Sequence, residues 1–199
     1  PSTSNPVRVA FVGAGGMANG VHYPSLASFD DVEIVGISDL DPARLSSTAD
    51  KYDVDGRFSS YRDMIAATAP DAVYVIGQPH IMYDIWTWCL SEGLNLYIEK
   101  PMGITMHQAR ALAHLAEANG CITQVSFQRR TCPMVVQLHE ECLRRGPVTH
   151  AVCTFYKHGP DAYLAARDHM MDDSVHAIDT LRWMCGGDVV HIDSVTKQV

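Results

Sequence analysis

An α/β fold with a doubly wound parallel sheet is the architecture this sequence predicts, and three observations predict it. Val7-Arg8-Val9-Ala10-Phe11-Val12 runs straight into Gly13-Ala14-Gly15-Gly16-Met17-Ala18, an apolar strand followed by a glycine turn and a helix. A second apolar run, Val32 to Ser38, ends in Asp39, about 20 residues past the turn. Beyond it, short apolar runs alternate with helical stretches as far as Phe127, the pattern of right-handed strand-helix-strand crossovers.

Each element has its own local reason. The helix after the turn should run from Met17 to about Phe29, shortened or kinked by Pro24. Asp41 is the expected N-cap and Pro42 the first residue of a second helix reaching Tyr52. Arg57-Phe58 reads as a very short third strand, Tyr61 to Ala67 as a helix, and Asp71 to Ile76 as a fourth strand apolar on both faces. Ile81 to Glu92 is helical and stops at Gly93; Leu94 to Ile98 is the fifth strand. Thr105 to Asn119 is a helix closed by Gly120, and Cys121 to Phe127 the sixth strand. The predicted domains are residues 1–127, a dinucleotide-binding domain, and residues 128–199, the beginning of a second, α+β domain. That second part should hold a helix from Met134 to Arg145, an alternating strand Val148 to Tyr156 with Thr154 and Tyr156 on one face, a helix from Asp173 to Cys185, and a strand Val189 to Val199. Two strands and two helices make a poor independent fold, so the expectation is part of a longer protein.

Composition narrows the classes. The 199 residues are 47% hydrophobic and carry a formal charge of -8, with no clustered basic stripe, so nucleic-acid backbone binding is not expected. The six cysteines lack any C-x-x-C pair, which points to reduced thiols, several of them in the core, and a cytoplasmic protein. Residues 1–6 read as a loose leader, and no apolar run is long enough to span a membrane. No metal is expected: His139-Glu140 lacks the second histidine of a zinc helix, and His169 with His176 lacks a third ligand. Trp86, Trp88 and Trp183 read as helix-packing residues.

The chemistry of the turn follows from its geometry. Gly13 permits a tight turn, Gly15 lets a pyrophosphate approach the backbone, and Ala18 packs helix on strand, so the anion rests on N–H groups of Gly15, Gly16 and Met17 at a helix start. Asp39, beside Ser38, is placed to accept both hydroxyls of an adenosine ribose and to repel a 2′-phosphate, which favours NAD; Arg44 and Ser38 leave NADP open. Other contacts are expected where strands end, at Gln78-Pro79 and Glu99-Lys100. Lys100 at that edge reads either as a proton-transfer group or as a plain loop lysine. Asp172, His176 and Asp179, spaced by four and three, can share a helical face as an oriented base or as ordinary solvated residues. Arg129, just past the sixth strand, is placed to hold a substrate hydroxyl or carboxylate, or equally to pin two domains together.

Together these pieces resemble the glucose-fructose oxidoreductase, inositol dehydrogenase and MocA (Gfo/Idh/MocA) family. The matching stretches are Gly13 to Ala18, Asp71-Ala72-Val73 with Pro79, Glu99-Lys100-Pro101 before a long helix, Val125 to Arg130, and Asp172-x-x-x-His176-x-x-Asp179-x-Leu181-Arg182-Trp183. The resemblance implies a Rossmann domain for NAD(P) and a C-terminal domain whose open sheet covers the substrate and forms a homo-oligomer interface. It implies oxidation or reduction of a sugar, cyclitol or related secondary alcohol, with Lys100 on the reacting oxygen, His176 as acid or base and Asp172 positioning it or the substrate. Arg129, Thr154, Tyr156 and Asp179 are the expected substrate contacts, and a cis bond is expected at Lys100-Pro101. A catalytically silent dinucleotide-binding sensor of the same fold is the alternative. Tyr83, Ser174 and Thr131 depart from the family's usual His, Gly and aromatic residue, and bear on substrate choice.

Overall fold

The structure, a computed structural model, describes residues 5–156 and 170–195. The chain divides into two compact units, Pro1–Ser126 and Phe127–Val199.

In the first unit six parallel strands form one sheet: β1 (Val7–Val12), β2 (Val32–Ser38), β3 (Arg57–Phe58), β4 (Ala72–Val75), β5 (Asn95–Ile98) and β6 (Thr123–Val125). Their order, β3-β2-β1-β4-β5-β6, is that of the doubly wound dinucleotide fold, with the switch point between β1 and β4. Strand alternation divides β1 between two cores. Ala10 and Val12 join Val73, Val75, Leu96 and Ile98 against Met64 of α3 (Tyr61–Thr68), Trp86 and Cys89 of α4 (Pro79–Ser91) and Leu112 of α5 (Met106–Ala118). Val9 and Phe11 face the other way with Ile37, packing on Tyr23 and Leu26 of α1 (Tyr23–Leu26) and on Leu45 and Ala49 of α2 (Pro42–Lys51).

The local signals operate as expected. Asp41 caps α2, its Oδ1 accepting from the N–H groups of Ala43 at 2.9 Å and Arg44 at 3.2 Å, and Thr105 with Gln108 forms a capping box on α5. Trp86 is fully buried in the core and Trp88 packs edge-on against Tyr61. The cysteines fit the expectation less well: all six are free, but Cys89 alone is buried, while Cys132, Cys153 and Cys185 are exposed.

The first helix differs from its expectation. Between Ala18 and His22 it widens into one π-helical turn, in which the Tyr23 N–H donates to the Ala18 carbonyl, before the short α1. Pro24 has no N–H to continue an ordinary ladder, and the wider turn brings consecutive side chains, His22 and Tyr23, onto the sheet.

The second unit contains a 3₁₀ turn (Gln128–Thr131), α6 (Pro133–Arg145), a π turn (Met170–Ser174) and α7 (Val175–Cys185). Trp183 packs on His139 with ring centres 4.0 Å apart, joining α7 to α6. The expected strands Val148 to Tyr156 and Val189 to Val199 are not formed: residues 148–156 and 189–195 are irregular, and 196–199 lie outside the described residues. An alternating pattern becomes a strand only when another strand takes its N–H and C=O groups, and none of the described residues supplies that ladder.

Gly13 has φ +107, and a Cβ there would lie 2.2 Å from the Ile76 carbonyl oxygen. Gly13→Ala should therefore destabilise the protein by about 2–4 kcal/mol, measured by urea unfolding. Burial pushes the Cys89 thiol up to about 12. At pH 8 alkylation followed by mass spectrometry should modify Cys132 within minutes and Cys89 only after unfolding.

Candidate functional site

The carboxyl ends of β1, β2 and β4 meet at the glycine turn. The Gly13 N–H donates to the Ser38 carbonyl at 2.8 Å, while its α-carbon lies against the Ile76 carbonyl, so one residue without a side chain joins three strands. The Ala14 N–H donates to Asp39 Oδ2 at 2.7 Å, and the Asp41 N–H donates to Asp39 Oδ1 at 2.8 Å. The carboxylate that was expected to read a ribose thus also shapes the loop, and each of its oxygens keeps a further lone pair for a hydroxyl. Asn19, not singled out from the sequence, secures the loop from below: its Nδ2 donates to the Ala14 carbonyl and to Thr48 Oγ1, both at 2.9 Å.

Above the loop the protein supplies no reason for glycine. A Cβ at Gly15 or Gly16 would meet no protein atom within 4 Å, in contrast to Gly13. Gly15 is half-buried, and Gly16 and Met17 are exposed at the start of a helix whose first N–H groups have no carbonyl of their own to reach. The open space over Gly15, Gly16 and Met17 could hold a diphosphate, and the remaining lone pairs of Asp39 could take ribose hydroxyls. Ser38 is buried, and Arg44 Nε lies 3.3 Å from Asp41 Oδ2.

Tyr23 completes the floor. Its hydroxyl donates to the Gly13 carbonyl at 3.2 Å, and its ring stacks on Phe11 at 4.1 Å and Tyr52 at 5.1 Å. Burial, then the Asp39 carboxylate, then Tyr52 push this phenol far up, so it stays neutral and remains a donor.

Along the same edge, Gln78 is exposed at the start of α4, with Pro79 in its first turn. At the end of β5, Glu99 and Lys100 are both buried, and the Lys100-Pro101 bond is cis, as expected. The Glu99 carboxylate is engaged within the protein: Oε1 lies 2.7 Å from Nε2 of His22. The His22 ring packs edge-on against Tyr97 at 5.3 Å and Tyr74 at 6.1 Å, and those two phenols stack at 4.3 Å. No spacing rule finds this pair, because 77 residues separate its members.

In the second unit His176 is buried in the first turn of α7, its ring edge-on to Phe127 at 6.2 Å. Asp179, an expected substrate contact, is held by a different partner: Arg130 Nε donates to its Oδ2 at 2.8 Å, and Arg130 Nη2 to its Oδ1. Asp172 lies in the π turn that leads into α7, and its neighbour Asp173 is buried. Arg129 is exposed with its guanidinium 5.2 Å from the Phe155 ring centre, and Thr154 and Tyr156 are exposed on the irregular stretch.

A parallel sheet in this strand order, with a glycine cradle and an acid at the switch point, defines a dinucleotide-binding Rossmann domain. The chain belongs to the Gfo/Idh/MocA oxidoreductase family with an NAD-binding Rossmann fold, whose model matches residues 7–127. It is 30% identical over 139 residues, 70% of its length, to the D-glucoside 3-dehydrogenase of Escherichia coli, covering 40% of that protein. Inositol 2-dehydrogenase of Acidothermus cellulolyticus is 24% identical over 98% of the chain, which covers 58% of that enzyme. Among solved structures, a dehydrogenase from Chromobacterium violaceum superposes with a TM-score of 0.82 at 21% identity, over 98% of this chain and 59% of its own. The chain therefore spans between two-fifths and three-fifths of the length of these relatives. Among the described residues, no helix is long and apolar enough to cross a membrane.

Gly15→Ala separates ligand from fold. It should leave the unfolding midpoint within about 0.5 kcal/mol of the parent while weakening NAD about tenfold or more, measured by quenching of protein fluorescence.

Proposed function

We propose that the protein is an NAD(P)-dependent dehydrogenase acting on a CH–OH group of a sugar, cyclitol or related secondary alcohol. The observation that carries this reading is Lys100, a buried lysine at the carboxyl end of β5, on the same sheet edge as the glycine cradle. The names of the relatives, a glucoside dehydrogenase and an inositol dehydrogenase, supply the substrate class.

In this reading the nicotinamide, when bound, supplies the hydride acceptor. The chain's own residues handle the proton and the orientation. Lys100 Nζ holds the reacting oxygen and takes part in moving its proton, His176 serves as the acid or base, and Asp172 orients the histidine or the substrate. Oxidation then leaves a ketone, with the hydroxyl proton passed to a side chain and onward to water. Arg129, Thr154, Tyr156 and Asp179 are the proposed substrate contacts, Asp179 through the position it gives Arg130. Gln78, Pro79 and Glu99 flank the dinucleotide on the sheet edge.

Asp39 makes NAD the preferred cofactor. Its carboxylate is tied to the loop by two backbone donors, so a 2′-phosphate would meet a fixed negative charge; Leu40 is exposed and uncharged, and Arg44 is turned to Asp41. In the full protein, kcat/KM with NAD should exceed that with NADP about tenfold or more, and Asp39→Ala should narrow the ratio.

Screening inositols and sugars for NAD reduction by the full protein tests the activity. With a substrate in hand, Lys100→Ala and His176→Ala should each lower kcat/KM by about 10²–10⁴. Unchanged turnover in both would remove the assigned roles, and dinucleotide binding with no turnover of any polyol would leave a sensor.

A further inference from the structure

The glycine cradle and Lys100 belong to strands that do not touch. β4 separates β1 from β5, so the two are about 10 Å apart across the sheet and no backbone ladder joins them directly. A side-chain bond crosses that gap. Strand alternation puts Tyr97 and Glu99 on the opposite face from Leu96 and Ile98, and on that face the π turn following the cradle delivers His22. The Nε2···Oε1 distance of 2.7 Å joins the helix that begins at the cradle to the residue preceding Lys100. Both side chains are nine-tenths buried, and the stacked Tyr74 and Tyr97 rings lie beneath the imidazole and restrict its plane. In such surroundings a charge-assisted hydrogen bond is strong, and it tolerates little displacement of either partner.

We propose that His22 and Glu99 are a positioning pair: their hydrogen bond over β4 sets the place of Lys100 relative to the dinucleotide cradle. This rests on the reading of Lys100 as a proton-transfer residue. Neither His22 nor Glu99 transfers the proton; the pair acts on turnover through its neighbour Lys100. The residue spacing that links them is created by the π turn, which rotates His22 onto the sheet together with Tyr23.

The test uses the full protein and the variants His22→Ala and His22→Gln, the second keeping an N–H donor near the Nε2 position. His22→Ala should lower kcat about tenfold or more while the NAD dissociation constant from fluorescence quenching stays within about twofold, and His22→Gln should recover most of kcat. In a Lys100→Ala background, His22→Ala should cost almost nothing further, because its effect passes through the missing lysine. Equal losses in the two backgrounds, a loss confined to NAD affinity, or no recovery with Gln would overturn the pairing. Should the parent protein oxidise no polyol, the dehydrogenase reading fails separately, and amide exchange decides the pair alone. Residues 98–103 should exchange about tenfold faster in His22→Ala than in the parent, and an unchanged rate there overturns the proposal.

Discussion

The close approach of Gly13 to the carbonyl of Ile76 is the constraint from which the rest of the sheet edge follows. It holds the end of β1 against β4 and, through the Gly13 N–H and the Ser38 carbonyl, against β2. No L-residue with a Cβ adopts that φ with a carbonyl in that place, so the turn has a single sequence solution. Once the turn is set, Ala14 points its N–H at Asp39, Asn19 closes the loop from within the helix, and Tyr23 reaches the Gly13 carbonyl from the core. The cradle is held by hydrogen bonds that are complete within the protein, while the space over Gly15 and Gly16 is left to a ligand.

Two kinds of interior support this edge. Under α3, α4 and α5 the sheet is packed with aliphatic side chains and Trp86, a core held by apolar burial and shape. The opposite face mixes Phe11, Tyr23, Tyr52, Tyr74 and Tyr97 with His22 and Glu99. Burying an imidazole and a carboxylate costs free energy unless each finds its partner, so this face is less forgiving than the aliphatic one. The stringent face is the one that carries the π turn from the cradle and the approach to Lys100.

Within the second unit the fork between Arg130 and Asp179 spans the 3₁₀ turn and α7, one turn beyond His176. Phe127 gives the imidazole a ring edge to pack on, and Arg130 stacks over that same phenyl at 6.0 Å. The spacing of Asp172, His176 and Asp179 was legible as a motif, but its geometry was not. Asp172 sits in the π turn that leads into α7, and Asp179 turns to a guanidinium 49 residues earlier.

The six strands of the sheet, the capped helices and the glycine cradle were readable in the chain, because each arises from neighbours in sequence: alternation, an N-cap, a residue without a Cβ. Gly13, Asp39 and Lys100 could be singled out for the same reason. The His22–Glu99 pair, the fork on Asp179, the grip of Asn19 on the loop and the irregular course of residues 148–156 could not. Those depend on which distant group arrives to share a hydrogen bond, and a backbone or side chain takes its final form only when that partner is present. Local covalent sterics wrote the sheet and its turn into the sequence; long-range pairing in the folded chain decided what each polar group at the edge would hold.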